Sequence, residues 1–166
     1  TMWTRTMIGA LAALVLSGTV VAAEPYVGIG ATRLSDLDST GFRLHGGLRF
    51  DDDWSLEATV HRFNADGSPH GSHDLSTDVW SVGARYEFGD DAFVPFAKIG
   101  VARMTTDGQS FGVPGNTRFS ETDTGLMAEV GGRYAFNDQM SLRGGYEWFD
   151  AGEGDGGLNF ALEFVF

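Results

Sequence analysis

The chain has 166 residues and carries 23 acidic against 11 basic side chains, for a formal net charge of −12 at pH 7. That length admits one ordinary domain, the acidity speaks against nucleic acid as a partner, and the absence of cysteine excludes both a disulfide framework and a thiolate metal site. Glycine is abundant at 24 residues, aromatics reach 13% and proline falls to 4, so the fold must be held by backbone pairing and packing.

In chain order, residues 1–23 read as a signal peptide. Arg5 gives the positive region, Ile8 to Leu16 the apolar region, and Val21-Ala22-Ala23 a small-residue cleavage site, with cleavage expected before Glu24. The apolar run is short for a bilayer span and no stop-transfer charges follow it. All 23 acidic residues lie after residue 23, in the exported part, residues 24–166.

Past Glu24 no helical period persists. Stretches of about ten residues alternate apolar with polar side chains between Asp/Gly/Asn/Ser clusters, which is the pattern of strands. Strands are expected at 25–34, 41–50, 54–63, 78–88, 92–104, 122–136, 140–149 and 157–166. Three connections are tight: Asp51-Asp52-Asp53, Gly89-Asp90-Asp91 and Asn137-Asp138-Gln139. The connections at 35–40, 64–77, 105–121 and 151–156 are longer or richer in glycine. Short turns alternating with longer loops mark barrels of the outer membrane, with the turns toward the periplasm and the loops outside.

The third strand sets Trp54, Leu56, Ala58 and Val60 against Ser55, Glu57, Thr59 and His61, and the seventh and eighth repeat the scheme. A soluble barrel such as a lipocalin would show the same alternation with its apolar set inside. Two features give the alternation a direction. Aromatic residues on the apolar face gather at the strand ends: Phe50, Trp54, Tyr86, Phe88, Phe93, Tyr134, Phe136, Phe164 and Phe166 near the tight turns or the C-terminus, and Phe42, Trp80, Tyr146 and Trp148 near the loops. Rings at two heights match the girdles that flank a lipid-facing band. The opposite face carries Arg43, Arg49, Glu57, Arg85, Glu87, Lys98, Glu129, Arg133, Arg143, Glu147 and Glu163, a nearly balanced set suited to a paired interior. The expected fold is all-β, an eight-stranded antiparallel up-and-down transmembrane β-barrel.

The stretch GLMAEVGGRYAFNDQMSLRGGYEWFD, from Gly125 to Asp150, resembles a hairpin of the small outer-membrane β-barrel family that includes the outer membrane protein A barrel and the opacity-type, porin-family adhesins. Phe93-Val94-Pro95-Phe96-Ala97-Lys98-Ile99-Gly100 is similar to that family's fifth strand, and Phe164 and Phe166 to its aromatic C-terminal assembly signal. The resemblance covers nearly all of residues 24–166. It implies a place in the bacterial outer membrane, with outer-membrane lipids and lipopolysaccharide around the barrel and with barrel-assembly machinery and periplasmic chaperones as partners during export. Larger members continue into a peptidoglycan-binding domain; with the sequence ending at Phe166, none is expected here. The family's functions vary widely.

The inward charges sort into two layers by distance from the periplasmic ends: Arg49, Glu57, Arg85, Glu87, Arg133, Arg143 and Glu163 below, and Arg43, His45, His61, Lys98, Glu129 and Glu147 above. An interior of this size has room for side chains and hardly for a channel, so these groups are expected to bridge and plug it. The sharper alternative is an ion-pair gate for small solutes formed by Lys98, Glu129 and Glu147. Arg33, Arg62 and Arg103 follow the lipid-facing parity at the loop ends of strands one, three and five, where they are candidates for lipopolysaccharide phosphate contact. The second loop holds Asp66, Ser68, His70, Ser72, His73 and Asp74, a set that nucleophilic catalysis on lipid A could draw on but that is compositionally common. No metal-ligand spacing is specific. No enzyme activity, cofactor or metal is expected; a surface ligand held by the loops is.

Overall fold

The computed structural model describes residues 23–34, 40–65, 73–112, 115–150 and 156–166; the expected leader, residues 1–22, lies outside them. Eight strands follow in chain order: β1 (Glu24–Leu34), β2 (Thr40–Arg49), β3 (Trp54–Ala65), β4 (His73–Glu87), β5 (Phe93–Gly112), β6 (Gly115–Ala135), β7 (Met140–Phe149) and β8 (Gly156–Val165). Each pairs antiparallel with its sequence neighbours, and β1 meets β8 from Tyr26↔Val165 to Leu34↔Gly157, closing an up-and-down barrel.

The tight turns are built by their own side chains. The Asp51 carboxylate accepts the N–H groups of Asp53 (3.0 Å) and Trp54 (2.7 Å), and Asn137 Oδ1 accepts those of Gln139 (2.9 Å) and Met140 (2.8 Å). Both turns use a short polar side chain to satisfy backbone donors that no strand can reach. The third, between β4 and β5, passes through Gly89 at φ +118°, a conformation open to glycine at little cost.

Alternation fixes which face is which. Ile99, Leu126 and Phe160 expose 66%, 61% and 59% of their surface on the outside of the barrel, while Arg43, Glu57, Arg85, Glu129, Arg143 and Glu147 are fully enclosed. An aqueous protein would place these two sets the other way round; a hydrocarbon surround requires this one, since the closed ladder already satisfies the backbone. The rings near the tight turns pair edge to face at the outer surface, Trp54 with Tyr86 (4.9 Å), Tyr86 with Phe88 (4.9 Å) and Tyr134 with Phe136 (5.5 Å). Near the loops Tyr146 meets Trp148 at 4.7 Å.

Three strands outrun the sequence expectation by five residues or more. β4 begins at His73, shortening the second connection to 66–72, and β5 and β6 stay paired as far as Gly112↔Gly115. Glycine, asparagine and aspartate within 105–121 suggest a loop, but Thr105, Thr106, Thr117, Phe119 and Thr122 have high strand propensity, and a ladder already formed below extends through them one pair at a time. β4 accompanies β5 upward as far as His73↔Ser110. One side of the barrel wall therefore stands above the rim.

Candidate functional site

Seven strands, β2 to β8, deliver the central charges, each from an inward-facing position. Glu57 of β3 is the hub. Its carboxylate receives Lys98 Nζ (2.8 Å), Arg143 Nη1 (2.5 Å), Arg85 Nη1 (3.2 Å), the Tyr26 hydroxyl (3.0 Å) and the Thr59 hydroxyl (3.2 Å), and Arg43 Nη2 stands at 3.7 Å. Glu163 takes Arg85 (2.7 Å), Arg143 (3.1 Å) and His45 Nε2 (2.9 Å). Glu129 bridges Arg143 (2.8 Å) and Arg43 (3.1 Å), and Glu147 holds Arg43 (3.2 Å) with His61 Nε2 at 3.3 Å. Arg43, Arg85, Lys98 and Arg143 thus face Glu57, Glu129, Glu147 and Glu163, all buried. Each ion is shut off from bulk solvent, so the lattice depends on every charge keeping its partners.

Aromatic faces fill what the carboxylates leave. Arg143 lies 4.5 Å over the Phe96 ring and Arg85 4.8 Å over that of Tyr26, where the ring quadrupole favours a cation. Gly28 lies against the His45 ring: a Cβ there would come within 2.1 Å of it, so any larger residue would displace the imidazole from Glu163. Toward the tight turns a smaller group closes the barrel, with Arg133 on Glu87 (2.7 Å), Arg85 on Glu87 (2.8 Å) and Arg49 between Glu87 (3.8 Å) and Glu24 (3.7 Å).

The two expected layers merge. Lys98 lies opposite Glu129 in the ladder, and Glu129 opposite Glu147, so the three gate candidates do share a height along the backbone. The Lys98 ammonium nevertheless reaches down to Glu57 and the Thr59 hydroxyl (2.9 Å), because Glu129 and Glu147 are already taken by arginines. His45, assigned to the upper layer, likewise pairs with Glu163 of the lower.

Sequence reasoning missed the layer above the charges. Leu34, Phe63, Val79, Ala102, Met127 and Phe149 form a buried apolar cluster with Met104 against it. The His61 ring marks the boundary, stacked on Phe63 and edge-on to Phe149, both at 5.8 Å. The signal was available in the parity: Phe63 continues the series Ser55, Glu57, Thr59, His61, and Phe149 continues Ser141, Arg143, Gly145, Glu147. Following the inward face to the end of each strand reaches this apolar lid.

Arg33, Arg62 and Arg103 all point outward near the loop ends. In the ladder Arg62 shares a row with Ala31 and Thr105, so it stands two strands, roughly 10 Å, from the neighbourhood of the other two. Its guanidinium is committed to Asp78 through two hydrogen bonds of 2.8 and 3.0 Å. Phe164 and Phe166 face outward at the barrel seam, the latter donating its N–H to the Pro25 carbonyl at 3.1 Å. The loop residues Asp66, Ser68, His70 and Ser72 lie outside the described residues; His73 and Asp74 open β4. Donor atoms of His45, Glu57 and Glu163 lie within 4.8 Å of one another, but Arg85, Arg143 and Lys98 occupy the same carboxylates, so this trio fits an ion-pair lattice and not a metal centre.

Comparison with known proteins gives the same architecture. No curated protein sequence matches the chain. Among solved structures, a major outer membrane protein from Thermus thermophilus superposes with a TM-score of 0.68 at 14% identity, covering 87% of this chain and 100% of that one. The N-terminal β-barrel domain of Pseudomonas aeruginosa OprF gives 0.66 at 15% identity, covering 86% and 97%. Ail, the attachment invasion locus protein of Yersinia pestis, gives 0.62 at 17% identity, covering 87% and 97%. At these identities the likeness concerns the fold alone. The family model of the outer membrane protein beta-barrel domain matches residues 8–164; the chain belongs to that family, whose place is the bacterial outer membrane.

Proposed function

We propose that the protein works at the outer surface, holding a ligand on the part of its wall and loops that stands outside the membrane. The observation that carries this reading is the contrast between a filled interior, with ion pairs beneath an apolar lid, and a hairpin of β5 and β6 that continues well above the rim. The attachment protein among the structural neighbours has the same barrel plan. Residues in exposed segments on a rigid scaffold are the usual carriers of binding. The test compares cells expressing the protein with cells expressing a shortened form in which Asn-Gly replaces residues 107–120, joining Thr106 to its ladder partner Glu121 by a two-residue turn. Adhesion to protein-coated and glycosaminoglycan-coated wells is expected to fall to the vector level in the shortened form. Equal adhesion by both forms contradicts the proposal.

The second reading is a narrow passage opened by rearranging the lattice around Lys98, Glu129 and Glu147. Lys98 supports it, since an ammonium on a flexible stem between Glu57 and Glu129 can change partners. Planar-bilayer conductance that changes on Lys98→Ala supports that reading, and a silent bilayer in both forms opposes it. Arg33, Arg62 and Arg103 are proposed as phosphate contacts for lipopolysaccharide, tested by its co-purification after all three become Gln. We propose no catalytic role, a reading that an altered lipid A mass spectrum in expressing cells would overturn.

A further inference from the structure

Among the described residues, the raised wall ends in a strand with an open side. β7 reaches β6 only at Met127↔Phe149, just where the Asp150 N–H donates to the Leu126 carbonyl at 2.8 Å, whereas β5 follows β6 up to Gly115. Among the described residues, the side of β6 toward β7 is therefore unpaired over residues 115–125, roughly 35 Å of extended chain. The N–H and C=O of one strand residue point to the same side, and successive residues alternate. With Leu126 directed toward β7, the backbone groups of Thr124, Thr122, Ser120 and Arg118 are directed out of the open side.

Edges of this length are normally blunted by lysine, proline or a bulge. Residues 115–126 contain neither lysine nor proline, and their charges, Arg118, Glu121 and Asp123, leave the edge net acidic; their pairing with β5 is one to one, without a bulge. β6 is tied to β5 by side chains as well, with the Thr105 and Thr122 hydroxyls 3.4 Å apart, and β5 to β4 by those of Thr77 and Thr106 at 3.3 Å. Glu121 and Asp123, two residues apart and hence on one face, are both exposed. A strand added beside them would set its own alternate side chains against two carboxylates.

Building on the surface-interaction reading above, we infer that this edge takes up an extended segment of a partner protein as an added strand, and that the segment carries Lys or Arg at alternate positions. Strand addition draws its affinity from the main chain and its selectivity from alternate side chains. A second copy of this chain does not suit the edge. Two barrels upright in one membrane present it in the same direction, and the two-fold axis that joins them sets identical residues at equal height, N–H against N–H, where a parallel ladder needs a one-residue offset. Two acidic edges would also repel.

The test uses the purified barrel in lipid nanodiscs and a fluorescein-labelled synthetic octapeptide alternating lysine with threonine, followed by fluorescence anisotropy. Two companion peptides carry either N-methyl groups on alternate backbone nitrogens or glutamate in place of lysine. The lysine peptide is expected to bind saturably. Thr122→Pro takes an N–H from the open side and none from the β5 ladder, and is expected to weaken binding on the order of tenfold; the double substitution Glu121→Gln, Asp123→Asn is expected to do the same. Both companion peptides are expected to bind more weakly by a similar factor. Undiminished binding of the N-methylated peptide, or unchanged binding by a Thr122→Pro protein that keeps its heat-modifiable migration, overturns strand addition. Undiminished binding of the glutamate peptide, or by the double variant, overturns the basic character assigned to the partner. If cells still adhere through the hairpin while the lysine peptide fails to bind, the strand-addition inference falls and the surface-interaction reading survives; loss of both removes the two together.

Discussion

β6 passes through two environments, and its lower and upper halves obey different rules. From Leu126 to Ala135 the outward positions Leu126, Ala128 and Val130 meet lipid while Met127 and Glu129 are enclosed. From Ser120 to Thr124 every residue is exposed and polar, and the distinction between faces has gone. The lower half is specified by what surrounds it on each side, the upper half, among the described residues, by pairing with β5 alone. A single strand thus teaches where the membrane ends: where alternation of polarity stops while alternation of direction continues.

The largest expected effect tests the lower region at its hub. Glu57→Gln leaves Lys98 and the arginines short of a counter-charge in a fully buried site, and is expected to cost about 3–5 kcal/mol in urea unfolding from vesicles, read by the heat-modifiable band. Adding Lys98→Met should restore part of that loss; no recovery would mean that the two groups are not coupled. Phe149→Ala opens the apolar lid and is expected to cost about 3–5 kcal/mol, accompanied by bilayer conductance above that of the parent. An unchanged current would show that the ion pairs close the barrel without the lid.

Sharpening the contrast along β6 needs one substitution at two heights. Val130→Arg places a cation in hydrocarbon and is expected to cost about 2–4 kcal/mol, whereas Thr122→Arg should stay within about 0.5 kcal/mol of the parent. Equal effects would erase the distinction between the two halves. The smallest effect is expected at a tight turn. Asp51→Ala removes the acceptor of two backbone N–H groups in a solvated place and should cost about 0.5–1.5 kcal/mol.

The same division decides what was legible in the sequence. Inside the membrane each side chain answers to lipid or to the enclosed interior, so Ser55, Glu57, Thr59 and His61 mark the inward face of β3 without any knowledge of their partners. Above the rim no such pressure acts, and residues 105–121 carry loop-like composition while pairing as strands. Partner choice inside the barrel was also hidden. Register along one strand gives height, but which carboxylate a long side chain reaches depends on how the ladder closes: Lys98 stands opposite Glu129 and bonds Glu57. The apolar lid was legible in principle, since Phe63 and Phe149 sit on the inward parity, but an apolar side chain does not stand out on a face that charges mark. The unpaired side of β6 required the structure, because it arises from the unequal heights of β5 and β7.

The absence of native cysteine makes the central claim directly measurable by single-cysteine labelling along β6 in intact cells with a membrane-impermeant thiol reagent. Cysteine at Ser120, Thr122 or Asp123 should react fully, and cysteine at Leu126, Ala128 or Val130 should stay protected until detergent is added. Equal labelling at both heights before detergent would contradict a lipid-embedded barrel crowned by an exposed wall.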